Sequence, residues 1–160
     1  MHNPDCGMID IHEKWMREAI KEAKFAFQEE EVPVGAVVVF ENRIIGRGHN
    51  QIERLQDPTA HAEMIALTAA TNTLEKKWLT DATMYVTIEP CVMCAGAMIL
   101  ARLKRLVYGA QEIKTGAHSS IMNLLDDSRI NHRIEVIPGV LRKECSHFMS
   151  LFFKEMRKRN

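Results

Sequence analysis

The chain has 160 residues, 46% of them hydrophobic, and it balances 21 Lys and Arg residues against 21 Asp and Glu residues. This composition is that of a soluble globular protein with one sizeable core, and its zero formal net charge argues against nucleic-acid binding through bulk charge, so such a partner would need a local basic patch. No apolar run approaches the ~20 residues that span a bilayer, and no signal-peptide pattern is present, so we expect a cytoplasmic protein without a membrane segment.

Apolar periodicity, β-branched runs and turn residues divide the chain into helices and strands. In the first half we predict a flexible tail (1–9), a helix (11–28), a strand (34–40), a three-residue connection (41–43), a returning strand (44–50), a polar loop (51–58) and a helix (60–71). In the second half we predict a strand (82–88), a helix (91–101), a strand (104–109), a loop (111–120), a short helix (121–126), a strand (134–137) and a last helix (140–158). This order indicates one α/β domain over residues 10–160, a three-layer α-β-α fold around a mixed five-stranded sheet.

Two short motifs bring together one imidazole, two thiols and one carboxylate. His61 and Glu63 stand at the predicted start of one helix, and Cys91 and Cys94 follow Pro90 at the start of the next helix. Cysteines three residues apart share a helix face, and a helix N-terminus stabilises thiolates. Three protein ligands leave the fourth tetrahedral position of a zinc ion open to water. We therefore expect His61, Cys91 and Cys94 to bind one Zn²⁺.

Glu63 is expected to act as general acid and base toward the metal-activated water. The order H-x-E followed by P-C-x-x-C is typical of zinc-dependent nucleobase deaminases, which act on a base that has left its stack. A redox role for the two cysteines would leave His61 and Glu63 without a function. A non-enzymatic zinc module would need a fourth protein ligand. The formal candidates for that ligand are His49, His118, His132 and Cys145.

On these motifs, the chain resembles the bacterial tRNA-specific adenosine deaminases of the cytidine deaminase-like superfamily. The resemblance extends over nearly the whole chain, from Trp15 to Phe153. The stretches that carry it are residues 31–36, 57–63, 87–97 and 114–117. The Val-Met pair between the cysteines and the Ala-Gly-Ala after them are more typical of this branch than of guanine or cytosine deaminases. The resemblance implies a cytidine deaminase-like fold.

The resemblance also implies that the wobble adenosine of a transfer RNA anticodon is converted to inosine. Water activated by one Zn²⁺ per subunit would attack C6, while Glu63 would deprotonate the water and protonate N1 and the departing amine. The family implies a homodimer whose active sites are completed at the subunit interface. The residues that would bind the anticodon stem-loop are Val34, Asn50, Ala62, Ile88, Glu112, Lys114, Phe153 and Arg157.

The last predicted helix carries aromatic and basic residues together, as base stacking and phosphate contact require. We expect Phe152 to face the core, whereas the resemblance favours RNA contact for Phe153 and Arg157. Glu112 stands where family members often carry Asp, and its side chain is one methylene longer. The alternative function is zinc-dependent deamination of a free base or nucleoside, of the guanine or cytosine type.

Overall fold

The computed structural model describes the backbone of residues 4–160 and the side chains from Ile11 onward. Its helices are α1 (Pro4–Gln28), α2 (Ile52–Leu55), α3 (Ala62–Leu74), α4 (Val92–Leu100) and α5 (Arg142–Arg159). Its strands are β1 (Gly35–Phe40), β2 (Arg43–His49), β3 (Thr83–Ile88), β4 (Arg105–Ala110) and β5 (Glu135–Ile137). None of the described helices combines the length and the apolarity needed to cross a bilayer.

The five strands form one sheet in the order β2-β1-β3-β4-β5. Strand β1 runs antiparallel to both of its neighbours, whereas β3, β4 and β5 are parallel. Because β3 and β4 are parallel, α4 has to cross back between them, and it begins at the carboxyl end of β3. The mixed five-stranded sheet predicted from the sequence is confirmed.

Helices cover both faces of this sheet. On one face α1 buries Met16 and Ala19 against the strands, and α5 packs beside α1. On the other face α3 and α4 bury Ala66 and Met98. The strands between them are apolar on both sides, and Tyr85 of β3 belongs to the α1 side. This arrangement confirms the three-layer α-β-α fold.

Two glycines of β2 allow α3 to lie directly on that strand. A Cβ atom at Gly46 or Gly48 would collide with backbone atoms of α3. Because the approach is close, the start of α3, which follows His61, lies next to Asn50 at the end of β2. The glycines therefore help to position one of the two chemical motifs.

The predicted three-residue connection of the β1–β2 hairpin is wrong. Phe40 pairs with Arg43, so only Glu41 and Asn42 connect the strands. Both residues have positive φ, 49° and 59°. A two-residue turn of this conformation matches the right-handed twist of the paired strands, and Asn tolerates it well.

Helix α1 starts at Pro4, inside the predicted tail, whereas the sequence predicted a start at Ile11. Residues 1–3, and the side chains before Ile11, lie outside the described residues, so the flexibility of a tail stays a prediction. The short helix predicted at 121–126 is only a 3₁₀ turn, Leu124–Asp126.

The predicted polar loop at 51–58 contains the short helix α2. Glu31, which is 2% exposed, accepts hydrogen bonds from the backbone N–H groups of Glu53 and Arg54 at 3.2 and 2.7 Å. These bonds satisfy donors that the first turn of a helix leaves free. A carboxylate about twenty residues earlier in the chain thus stabilises a helix that local sequence does not predict.

Candidate metal centre and substrate cavity

The candidate metal ligands stand where two helices begin. His61 is the N-cap of α3 and Cys91 is the N-cap of α4, both with extended backbone. Glu63 and Cys94 follow in the first turns of the two helices. Neither N-cap side chain makes a capping hydrogen bond to the backbone of its own helix, and the imidazole and the thiol face each other. The two helix N-termini meet at one point, as the sequence predicted.

The three donor atoms have the spacing of a tetrahedral metal site. His61 Nδ1 lies 3.5 Å from Cys94 Sγ and 3.7 Å from Cys91 Sγ, and the three atoms are all within 4.8 Å of one another. Zinc bonds of about 2.0–2.1 Å to nitrogen and about 2.3 Å to sulfur, at the tetrahedral angle, separate N from S by about 3.6 Å. The donor set therefore fits a zinc ion with three protein ligands.

The residues considered as a fourth ligand have other contacts. His49 lies between two glutamates, His118 meets a tyrosine hydroxyl, and His132 bonds to a backbone carbonyl. Cys145 is buried on the α1 side of the sheet, as expected of a small hydrophobic residue. Within the described part of the chain, no fourth side chain joins His61, Cys91 and Cys94, which are called the metal group below.

The carboxyl group of Glu63 reaches the same place from inside the protein. Its side chain is 3% exposed, and Oε2 has no hydrogen-bond partner among the described residues. Burial raises the pKa of Glu63 above its usual range. A buried carboxyl group with an unpartnered oxygen is suited to accepting and releasing a proton.

The two thiols differ strongly in acidity. The hydrogen bond with Cys94, followed by the one with His61, lowers the pKa of Cys91 to about 4. The same pairing, together with burial, raises the pKa of Cys94. The hydrogen bond with Cys91 also raises the pKa of His61. A divalent cation among these donors would stabilise both thiolates at once.

The metal group faces a cavity of about 200 Å³. Pockets for drug-sized ligands measure roughly 300–1,000 Å³, so this one suits a smaller group such as a single planar base. The wall residues that the sequence singled out are Val34, Asn50, His61, Glu63, Ile88, Cys91 and Glu112. The wall residues that sequence reasoning missed are Val32, Ile52, Glu89, Thr115 and Met149.

Five residues predicted for the site do not line this cavity: Ala62, Cys94, Lys114, Phe153 and Arg157. Cys94 belongs to the metal group but is fully buried, whereas Lys114 and Arg157 are exposed. The backbone N–H of Ala62, expected to contact the base, donates instead to Asn50 Oδ1 at 2.8 Å. Contact of Ala62 with a base stays a prediction.

Two adjacent phenylalanines of α5 have different surroundings. Phe152 is 8% exposed and packs edge-on against Phe27, with ring centroids 6.4 Å apart, which confirms its expected core position. Phe153 is 45% exposed. Met149, one helical turn before Phe153, reaches the cavity. Helix α5 therefore runs from the cavity wall to an exposed aromatic and basic end.

Glu89 is a second buried carboxyl group near the site, at 1% exposure. Burial alone would raise its pKa, but hydrogen bonds from the Ser120 hydroxyl and from three backbone N–H groups lower the pKa below its usual range. The only sequence signal was a charged residue placed between an apolar strand and the Pro-Cys motif. Its partners, 23 to 31 residues further along the chain, were not predictable from local pattern.

Comparison with known proteins adds independent information. A model of the MafB19-like deaminase family matches residues 10–157. The chain is 49% identical to the tRNA-specific adenosine deaminase of Bacillus subtilis (strain 168), covering 92% of this chain and 91% of that protein. It is 46% identical to the tRNA-specific adenosine deaminase of Streptococcus pyogenes serotype M18 (strain MGAS8232), covering 91% of both. A solved structure from studies of A-to-I editing by tRNA:A34 deaminases at the wobble position of transfer RNA superposes with a TM-score of 0.81 at 39% identity, covering 84% of this chain and 98% of that chain.

Proposed function

Since the chain belongs to the tRNA-specific adenosine deaminases, within the MafB19-like deaminase family, we propose that it converts the wobble adenosine of a transfer RNA anticodon to inosine, with release of ammonia. The observation that carries the proposal is the placement of Glu63. Its unpartnered carboxyl oxygen lies beside an imidazole and two thiols at the wall of a cavity suited to one base. That combination is suited to hydrolysis of an amine on a flipped nucleobase.

We propose that one Zn²⁺ per subunit is held by His61, Cys91 and Cys94. The donor separations of 3.5 and 3.7 Å and the chemistry of one nitrogen with two sulfurs support zinc over magnesium or calcium, which prefer oxygen ligands. Bound there, zinc would supply a water molecule with its pKa lowered to about 7.

Glu63 is proposed to move the protons. Its Oε2 atom has no other partner among the described residues, so it can accept a proton from water and pass it to N1 of the adenine, where inosine keeps it. Glu63 can then carry the proton of the new C6 hydroxyl group to the departing amine, which leaves as ammonia. Burial keeps competing solvent away from this carboxyl group. Each proton is therefore transferred between Glu63 and the reacting groups rather than exchanged with bulk solvent.

The cavity wall is proposed to hold the flipped nucleotide. Val34 and Ile88 provide apolar surface for the ring, and Asn50 provides a hydrogen bond. Glu112 lines the same cavity and is proposed to approach the ribose. The peptide N–H of Ala62 is proposed to contact the base after exchanging its present partner, Asn50.

Outside the cavity, Lys114, Phe153 and Arg157 are proposed to contact the rest of the anticodon stem-loop. The three side chains are exposed, which leaves a cation for phosphate and an aromatic ring for stacking available. Because the proposed substrate is transfer RNA, we expect the protein to act in the cytoplasm.

We also propose a homodimer. Leu100 of α4 is 80% exposed, Val92 is 42% exposed, and Leu55 of α2 is 55% exposed. Met64 of α3 lines one surface groove together with Leu55 and a second groove together with Leu100. Apolar surface of this kind favours association. Sedimentation should give twice the 18.3 kDa mass of the chain, and Leu100→Asp should shift it toward the monomer.

The decisive assay uses an anticodon stem-loop with adenosine at the wobble position. A matched stem-loop carries its adenosine one position away, and free adenosine, guanine and cytosine are tested in parallel. We expect inosine only at the wobble position of the RNA. Activity confined to the free bases or the nucleoside would overturn the proposal in favour of the alternative deaminase function.

A further inference from the structure

Among the described residues, every hydrogen bond that the Glu89 carboxylate accepts comes from one segment of the chain. That segment, residues 111–120, is called the cavity loop below. Glu89 Oε1 accepts the backbone N–H of Glu112 at 3.3 Å and the hydroxyl of Ser120 at 2.6 Å. Glu89 Oε2 accepts the backbone N–H groups of His118 and Ser119 at 3.0 and 3.1 Å. A single carboxylate thus holds both ends of the loop.

The cavity loop is also joined to the segment that carries a metal ligand. The N–H of Ala117 donates to the carbonyl of Pro90 at 2.9 Å, and Gly116 forms an isolated antiparallel bridge with Cys91. A Cβ atom at Gly116 would collide with the carboxylate of Glu89. The loop therefore packs tightly against residues 89–91, with no room for a side chain between them.

The loop contributes Glu112 and Thr115 to the cavity wall, and it exposes Ile113 and Lys114 to solvent. A carboxylate at 1% exposure that accepts four hydrogen bonds is costly to disturb, since the loss of any of these bonds leaves a part-buried donor without its partner. Glu63 already supplies the proton-transfer group. The hydrogen bonds of Glu89 indicate a different role, which is to fix the conformation of the loop that forms part of the cavity wall.

We propose that Glu89 is a positioning residue, which holds the cavity loop so that Glu112 and Thr115 face the nucleotide. The inference rests on the proposed function, because the nucleotide is its substrate. The charged carboxylate is needed because all four groups around it act as donors. A glutamine would turn an NH₂ group toward at least one of them.

The test compares Glu89→Gln with Glu135→Gln. Glu135 is an exposed partner of Arg105 at the amino-terminal ends of the parallel strands, away from the cavity, so it controls for the loss of one charge. In Glu89→Gln we expect KM for the stem-loop to rise about tenfold or more, with kcat within about threefold and zinc content unchanged. Amide hydrogen exchange of the cavity loop should accelerate, while that of α3 should not.

Ser120→Ala is the second variant, in case Glu89→Gln does not fold. It removes the hydroxyl bond to Glu89 and the bond that this hydroxyl accepts from Gln111 at 3.1 Å, and it keeps the three backbone bonds to Glu89. We expect it to raise KM about threefold and to speed exchange in the same loop. Unchanged KM and unchanged exchange in the folded variants would overturn the inference, as would loss of zinc with KM unchanged. Hydrogen exchange needs no substrate, so an inactive wild-type protein would refute the proposed function while the loop contact is still measured.

Discussion

Asn50 Oδ1 accepts a hydrogen bond of 2.8 Å from the backbone N–H of Ala62. The bond joins the end of β2 to the first residue of α3, directly after His61. Asn50 is 5% exposed, so this donor would be buried without a partner if the side chain were removed. The side chain proposed to bind substrate therefore also positions a metal ligand.

Two substitutions of Asn50 separate these roles. Asn50→Asp keeps an acceptor for Ala62, at a helix N-terminus that favours negative charge, but loses the NH₂ donor. Asn50→Ala loses both groups. We expect the Ala variant to lower the free energy of unfolding by about 1–3 kcal/mol and the Asp variant to lower it less, while both lose kcat/KM. Denaturant unfolding and steady-state kinetics measure the two effects, and full activity of Asn50→Asp would contradict a substrate contact through the NH₂ group.

The chemical groups of the candidate site could be predicted from the sequence because they lie in short motifs at element boundaries. His61 and Cys91 follow turn residues and precede helices, and the start of a helix fixes the direction of nearby side chains. The alternation of Met84, Val86 and Ile88 with other residues predicted the third strand, and these three side chains lie in one core cluster with those of α3 and α4. Local pattern was sufficient wherever local geometry decides the outcome.

The rest depends on contacts between distant residues. Glu31 and Glu89 each hold a segment more than twenty residues away through backbone N–H groups, which carry no residue-specific signal. Met149 reaches the cavity only because α5 packs back across the sheet. Such residues look like ordinary charged or apolar positions until the chain is folded.

Removal of one ligand should release the metal. We expect His61→Ala to lose most of its zinc and its inosine formation, and to melt at a lower temperature, because metal binding stabilises only the folded chain. His132→Ala, which loses a bond to the carbonyl of Leu103, is the control with normal zinc content. Zinc per chain is measured by elemental analysis. Undiminished inosine formation by metal-free His61→Ala would contradict the proposed centre.

Glu63→Gln should separate chemistry from metal binding. The variant keeps the three ligands, so we expect normal zinc content with kcat lower by about 10²–10⁴-fold or more, since the proton carrier is lost. It should be at least as stable as the wild type, because Glu63 is a buried carboxyl group with an unpartnered oxygen. Single-turnover kinetics and denaturant unfolding of the zinc-bound protein test both statements. Retained turnover would exclude the proposed role.

Glu30 and Glu31 are neighbours with different surroundings. Glu31 accepts two backbone hydrogen bonds from α2. The side chain of Glu30 is 66% exposed, and its one ion pair among the described residues is with Arg159, which is also exposed. We expect Glu31→Gln to lower the free energy of unfolding by about 1–3 kcal/mol and to raise KM, because Ile52 of α2 lines the cavity. Glu30→Gln should stay within about 0.5 kcal/mol of the wild type. Equal effects of the two substitutions would argue against a specific contact of Glu31 with α2.

Phe152 and Phe153 offer a matched pair on α5 for separating stability from RNA binding. Phe152 packs on Phe27 in the core, so Phe152→Ala should lower the free energy of unfolding by about 3–5 kcal/mol. Phe153 is 45% exposed, so Phe153→Ala should change stability little and weaken stem-loop binding by about 1–3 kcal/mol, the value of one stacked base. Arg157→Ala should instead reduce the salt dependence of binding, because it removes a phosphate contact. Titration of a labelled stem-loop at several salt concentrations distinguishes stacking from charge, and unchanged affinity in both Phe153→Ala and Arg157→Ala would remove the end of α5 from the RNA interface.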